Sequence, residues 1–236
     1  MRKEVFTIGS YVHVYNRGNR KQAIVREACD RWRFLQMLYY FNTSIPIANP
    51  FRSLRRKIGL AFGKKLIWLK DWPPQRPLVK IIAFSLMENH FHLLLKAISE
   101  GGLALFMQKF GTGMATYFNA KYQESGRFLQ GPYKARVVNN DEYLRYLSVY
   151  IQVKNPFELY PKGFETAIKN FDDAYQWAAK YPYFSLADYA GERNSPIIGK
   201  DILGEMFPCS KKYKKFAKDC IFSMNLREKL GMLTID

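Results

Sequence analysis

The chain has 236 residues, 48% hydrophobic and 16% aromatic, which is enough for a full core and too apolar for a disordered chain. Lys and Arg outnumber Asp and Glu by 37 to 20, a formal charge of +17 that favours a polyanionic partner, nucleic acid first. A membrane is disfavoured, because no apolar run approaches the roughly 20 residues of a span, and Met1–Thr7 shows no signal-peptide core.

Cys29, Cys209 and Cys220 are odd in number and far apart, so they make neither a disulfide framework nor a Cys-x-x-Cys zinc site. The expectation is a cytoplasmic protein with buried free thiols. Residues 5–16 (Val5 to Asn16) read as a first strand, and Asn16-Arg17-Gly18-Asn19-Arg20 breaks it as a turn. From Glu27 to about Phe41 apolar residues recur at helical spacing. The stretch 46–77 holds five prolines and the basic cluster Arg52-Ser53-Leu54-Arg55-Arg56-Lys57, and reads as a partly helical surface insertion.

Two strands follow, Leu78–Met87 and His90–Ala97, joined by a tight turn at Glu88-Asn89. A helix from Gly101 to about Tyr122 carries Leu103, Phe106, Phe110 and Met114 on one stripe, and Tyr133–Val138 reads as a short strand. Asp141 is a good N-cap for a further helix, which Asn155-Pro156 should stop. The order is α+β, a ferredoxin-like βαββαβ split sheet in which the first and third strands are central neighbours. Residues 1–156 are the expected core domain, and 157–236 a mostly helical appendage.

Two of the three histidines fall two apart in the second half of the hairpin, His90-Phe91-His92. On a strand both imidazoles face one way and Phe91 the other. Two nitrogen ligands hold an ion while leaving most of its coordination sphere for water and substrate oxygens, as a catalytic ion needs. The bland alternative is a pair of strand histidines with ordinary hydrogen bonds. Another reading is a hydrolase with zinc among His13, His90 and His92.

Met87-Glu88-Asn89-His90-Phe91-His92-Leu93-Leu94 resembles the histidine strand of single-tyrosine HUH transposases. His13-Val14-Tyr15-Asn16-Arg17-Gly18-Asn19, Gly126-Arg127-Phe128-Leu129-Gln130-Gly131-Pro132-Tyr133-Lys134-Ala135 and Tyr150-Ile151-Gln152-Val153-Lys154-Asn155-Pro156 extend the likeness in order across about residues 8–160. The set is most similar to the REP-associated tyrosine transposase branch of the IS200/IS605-like group. The resemblance implies an enzyme that cleaves and rejoins single-stranded or hairpin DNA through a 5′-phosphotyrosine, without ATP, as a monomer or homodimer. It implies Mg²⁺ or Mn²⁺ on His90 and His92, with Tyr150 as the nucleophile.

This sequence departs from the group in one place. Relatives commonly read Tyr-Ile-x-x-Asn-Pro, whereas here one more residue separates Tyr150 from Asn155. Lys154 therefore stands four residues on, where relatives place an amide; a protonated lysine cannot ligate a metal but can meet a phosphate. Asn155 is then the candidate third ligand. His13, Arg17, Asn19, Arg20, Lys134 and Arg136 are the candidate nucleic-acid contacts, alongside the basic residues of the insertion and the tail lysines 211, 212, 214 and 215. The alternative is a DNA- or RNA-binding module on the same fold without strand transfer.

Overall fold

The computed structural model describes residues 6–59 and 66–229. Strand β1 (Tyr11–Arg17) alternates inward Val12 and Val14 with His13 and Tyr15, so that its two faces differ in chemistry. It starts later than expected: Ser10 N–H bonds to Thr7 O and Gly9 has φ 92°, so the chain turns over 7–10 before the strand begins. Val5 lies outside the described residues.

The sheet order is β2 (Val79–Leu86), β3 (His90–Ala97), β1, β4 (Lys134–Val138). This is the split βαββαβ arrangement, with the first and third strands at its centre. β1 and β3 run antiparallel in a register that sets Tyr15 opposite His92 and Arg17 opposite His90.

Contacts divide the chain into two compact units, residues 1–81 with 86–137, and residues 82–85 with 138–236. In the first, helices α1 (Ala28–Tyr40) and α3 (Gly102–Tyr122) pack together. Phe34 of α1, Phe91 of β3 and Phe110 of α3 meet with ring centroids 5.1–5.7 Å apart. Helix α2 (Pro50–Ile58) occupies the insertion, with Pro50 at its first turn, where a missing N–H costs nothing. The insertion is more firmly seated than a surface loop, since Trp68 and Trp72 pack on Tyr40 and the Tyr40 hydroxyl bonds the backbone of Ile67. Arg52, Arg55, Arg56 and Lys57 nonetheless remain exposed.

Asp30 is the polar centre of this unit. It caps α1 by accepting the N–H groups of Arg26 and Glu27, and it also takes the hydroxyls of Tyr117 and Tyr122 and the ammonium of Lys121. Burial alone would raise its pKa; the hydrogen bonds from Lys121, Tyr122, Arg26 and Tyr117 reverse that and hold the carboxyl well below the usual range.

The second unit is helical apart from its segment of β2: α4 (Asp141–Val149), α5 (Asn155–Glu158), α6 (Phe164–Lys169), α7 (Phe171–Lys180), α8 (Leu186–Ala190), α9 (Asp201–Met206) and α10 (Ser210–Lys229). The cap of α4 is Asn140, whose side chain accepts the Tyr143 N–H, and not Asp141 as expected. The thiols also differ from expectation: Cys29 and Cys209 are exposed and Cys220 half-buried. Among the described residues no helix is long and apolar enough to cross a membrane.

Candidate active site

β3 turns His90 and His92 to the face opposite Phe91, as strand geometry requires, with ring centroids 5.2 Å apart and planes at 88°. Two imidazoles sharing one ion through bonds of about 2.1 Å have centroids about 5 Å apart, so this spacing fits a common ion. The Nδ1 atom of each ring is engaged. His90 Nδ1 donates to Asn89 Oδ1 at 2.7 Å, and His92 Nδ1 lies 3.0 Å from His13 Nε2. Ligation by either ring would therefore go through Nε2, with the tautomer set by the bond on the far side.

The two orienting residues are themselves held. Asn89 donates to Lys21 O, and its backbone carbonyl accepts the Gly18 N–H. A side chain on Gly18 would collide with the Gln22 carbonyl at 2.0 Å, so this close turn demands glycine. His13 is 4% exposed, and burial, helped by the positive charge of Arg136, lowers its pKa to about 4. It is neutral at pH 7 and can accept the His92 Nδ1–H. Its ring stacks on Tyr15 at 5.0 Å, and Tyr15 on His92 at 5.7 Å.

Of the expected nucleic-acid contacts, Lys134 and Arg136 lie beside this stack. Arg17, Arg20, Lys134 and Arg136 are exposed, and Lys134 Nζ lies 5.6 Å from the Tyr15 ring centre. Asn19 is anchored through its N–H to Phe128 O. Phe128 packs 4.6 Å from Phe118 and serves the fold. Among the described residues no group of three His, Cys, Asp or Glu side chains is arranged for a metal, so the three-histidine zinc reading gains nothing. Asn89 escaped the sequence reading as an orienting residue; its adjacency to His90 at a hairpin turn was the available signal.

In the second unit the tyrosine helix does not stop at Asn155-Pro156. Tyr150–Lys154 form one π turn, in which the Asn155 N–H reaches the Tyr150 carbonyl five residues back, and α5 continues beyond it. The extra residue between Tyr150 and Asn155 is thus absorbed as a bulge, the form in which single insertions persist in helices, frequently at functional sites.

Around this turn the polar side chains sort by direction. Gln152 is fully buried, donating to Tyr213 Oη at 2.9 Å and accepting from Ser185 Oγ at 2.9 Å. Asn155 is 1% exposed and donates through its side-chain amide to Ser85 Oγ at 3.0 Å. Lys154 pairs with Glu158 at 2.8 Å and stands 5.5 Å from the Tyr150 ring centre. Tyr143, Tyr146 and Tyr150 are all half-exposed, while Leu144 and Leu147 fill the buried side, so the tyrosines are not the packed stripe of this helix.

Residues 75–154 match the family model described as "Transposase IS200 like". That stretch is similar to IS200-like transposases. It runs from the start of the histidine hairpin through the π turn, and so contains His90, His92 and Tyr150 together. No curated protein matches the chain. A solved structure described as a REP-associated tyrosine transposase bound to a REP hairpin is similar over 84% of this chain and 89% of that one, at 14% identity and a TM-score of 0.42. A likeness that loose assigns nothing by itself.

Proposed function

We propose that the protein cleaves and rejoins single-stranded, hairpin-associated DNA as a REP-associated member of the IS200-like transposases, acting in the cytoplasm. The observation that carries this reading is the single family match that spans both the histidine pair and Tyr150. The ordered motifs outside the matched stretch, beginning at His13, support the REP-associated branch.

Tyr150 is the nucleophile in this proposal. Its phenol oxygen bonds to the scissile phosphorus, the P–O3′ bond breaks, and the proton lost by the phenol ends on the departing 3′-oxygen. The protein is left joined to a 5′-phosphate. Reversal by another 3′-hydroxyl rejoins strands, and because each step exchanges one phosphodiester for another, ATP is not needed. A phenol with pKa about 10 reacts poorly at pH 7 without a nearby positive charge. Lys154 supplies one such charge beside the ring, released from Glu158 when phosphate arrives.

His90 and His92 would hold Mg²⁺ or Mn²⁺ through Nε2, with Asn155 the candidate third ligand; such an ion stabilises the charge that develops on the phosphate oxygens. His13 and Asn89 keep the two imidazoles in the ligating tautomer. Arg17, Asn19, Arg20, Lys134 and Arg136 track the DNA backbone, and affinity should come mainly from them. The tyrosine can serve the histidine pair of its own chain or that of a partner copy.

One observation favours a second reading, a nucleic-acid-binding module without strand transfer: Asn155 is bonded to Ser85 and Lys154 to Glu158, which commits both residues internally. Incubating the protein with a single-stranded hairpin oligonucleotide and Mn²⁺, then running a denaturing gel, separates the two. Strand transfer leaves a protein–DNA adduct that survives boiling in detergent. Binding without any adduct, across several hairpins and with both ions, would establish the second reading.

A further inference from the structure

Strand β1 presents His13, Tyr15 and Arg17 on one face, because side chains two apart on a strand point the same way. Directly opposed residues of an antiparallel ladder also share a face. The register sets Tyr15 against His92 and Arg17 against His90, so this is the face that carries the histidine pair. A phenol and a guanidinium thus stand on the strand next to the two imidazoles.

His13 and Arg17 are engaged by neighbours. His13 Nε2 lies 3.0 Å from His92 Nδ1, and Arg17 Nε donates to Gln130 Oε1 at 2.5 Å. Tyr15 differs, in that only its ring is engaged. The ring stacks on His13 at 5.0 Å and 29°, and on His92 at 5.7 Å and 22°, with Lys134 Nζ 5.6 Å from its centre. Its hydroxyl has no hydrogen bond among the described residues, and it is not one of the buried polar atoms, so it meets solvent.

The position of that hydroxyl follows from covalent geometry. Side chains of a sheet stand roughly perpendicular to it, so Tyr15 and His92 extend side by side. Nε2 is at the outer end of an imidazole and a phenol is the longer group, which carries Tyr15 Oη out to the level of the ligating nitrogen or past it. Stacking alone does not call for an oxygen there, since phenylalanine would stack as well.

We propose that the Tyr15 hydroxyl donates a hydrogen bond to a non-bridging oxygen of the scissile DNA phosphate, which makes Tyr15 a further catalytic residue. The inference rests on the reading of the histidine pair as the place where that phosphate binds. The phenol stays protonated throughout, and its bond strengthens as negative charge grows on the phosphate oxygens.

The test uses the full chain, a hairpin oligonucleotide with a single-stranded flank, and Mn²⁺. Tyr150→Phe serves as a background without the attacking oxygen, and affinity is read by fluorescence anisotropy. Adding Tyr15→Phe should weaken binding about tenfold in Mn²⁺, the loss of one hydrogen bond to a charged group. Without Mn²⁺ the change should stay within about twofold, because the remaining affinity rests on Lys and Arg contacts. With Tyr150 present, Tyr15→Phe should slow adduct formation at saturating DNA at least tenfold. Mn²⁺ affinity without DNA, read by electron paramagnetic resonance, should be unchanged, because the ring that packs on His13 and His92 remains. If wild type forms no adduct while the Mn²⁺-dependent loss of affinity is seen, strand transfer fails and the Tyr15 contact stands. If wild type forms the adduct and Tyr15→Phe matches its parent in both binding and rate, the Tyr15 proposal is overturned and strand transfer stands. Equal weakening with and without Mn²⁺, or weaker Mn²⁺ binding in the absence of DNA, also overturns it.

Discussion

Asp30→Ala isolates the polar centre of the first unit. The substitution removes the acceptor for six groups at once: the N–H groups of Arg26 and Glu27, the hydroxyls of Tyr117 and Tyr122, the Lys121 ammonium and, at 3.8 Å, the Cys29 thiol. Asp30 is 0% exposed, whereas the Lys121 side chain is 25% exposed and can recover some water. Breaking a buried pair from one side costs about 3–5 kcal/mol, and the partial hydration of Lys121 places this case near 3. At about 2–4 °C per kcal/mol for a chain of this size, the midpoint should fall by about 6–12 °C. Thermal melts followed by circular dichroism at pH 7 measure the drop. The sign of the pH dependence follows from the lowered pKa. The unfolded carboxyl protonates first on acidification, so the contribution is full above about pH 4 and is lost below it, as pH falls through the folded value. The gap between wild type and variant should therefore close in acid. A midpoint within about 2 °C of wild type at pH 7 would refute the reasoning.

His90→Ala or His92→Ala should abolish adduct formation while leaving hairpin affinity within about threefold, because affinity rests on many Lys and Arg contacts; normal adduct yield in both variants would show that the metal site is misplaced. His13→Ala should weaken Mn²⁺ binding about 10–100-fold by freeing the His92 ring, as loss of an orienting partner does. Electron paramagnetic resonance titration reads this without any cleavage step, and unchanged affinity would reduce His13 to packing. Deleting Lys154 should convert the π turn to α-helix while leaving its flanks in place, with a midpoint shift of only a few degrees. Global unfolding of that variant would show that the wide turn is required by the packing.

The strands and the long helices were legible because period-2 and helical apolar patterns, such as Val12/Val14 and Phe106/Phe110, report directly which face is buried. The central pairing of β1 with β3 followed from element order alone. Other features were set by contacts that the pattern does not carry. Phe6-Thr7-Ile8 have strand propensity, yet a turn at Ser10 claims them. Asn139, Asn140 and Asp141 are all capable caps, and only backbone geometry selects Asn140. Asn155-Pro156 carries the usual signal for a helix end, which the π turn overrides by widening the helix one turn earlier. The histidine pair was visible as spacing, but its orientation by Asn89 and His13 depends on hairpin closure and on a partner 79 residues away.

The central claim is that Tyr150 carries the covalent chemistry, and peptide mapping of the trapped protein–DNA adduct tests it most directly. After nuclease trimming, mass spectrometry should find the nucleotide on Tyr150, and Tyr150→Phe, which removes one oxygen from a half-exposed ring, should keep its fold and give no adduct. A nucleotide on Tyr143 or Tyr146 with Tyr150 bare, or an undiminished adduct in Tyr150→Phe, would contradict it.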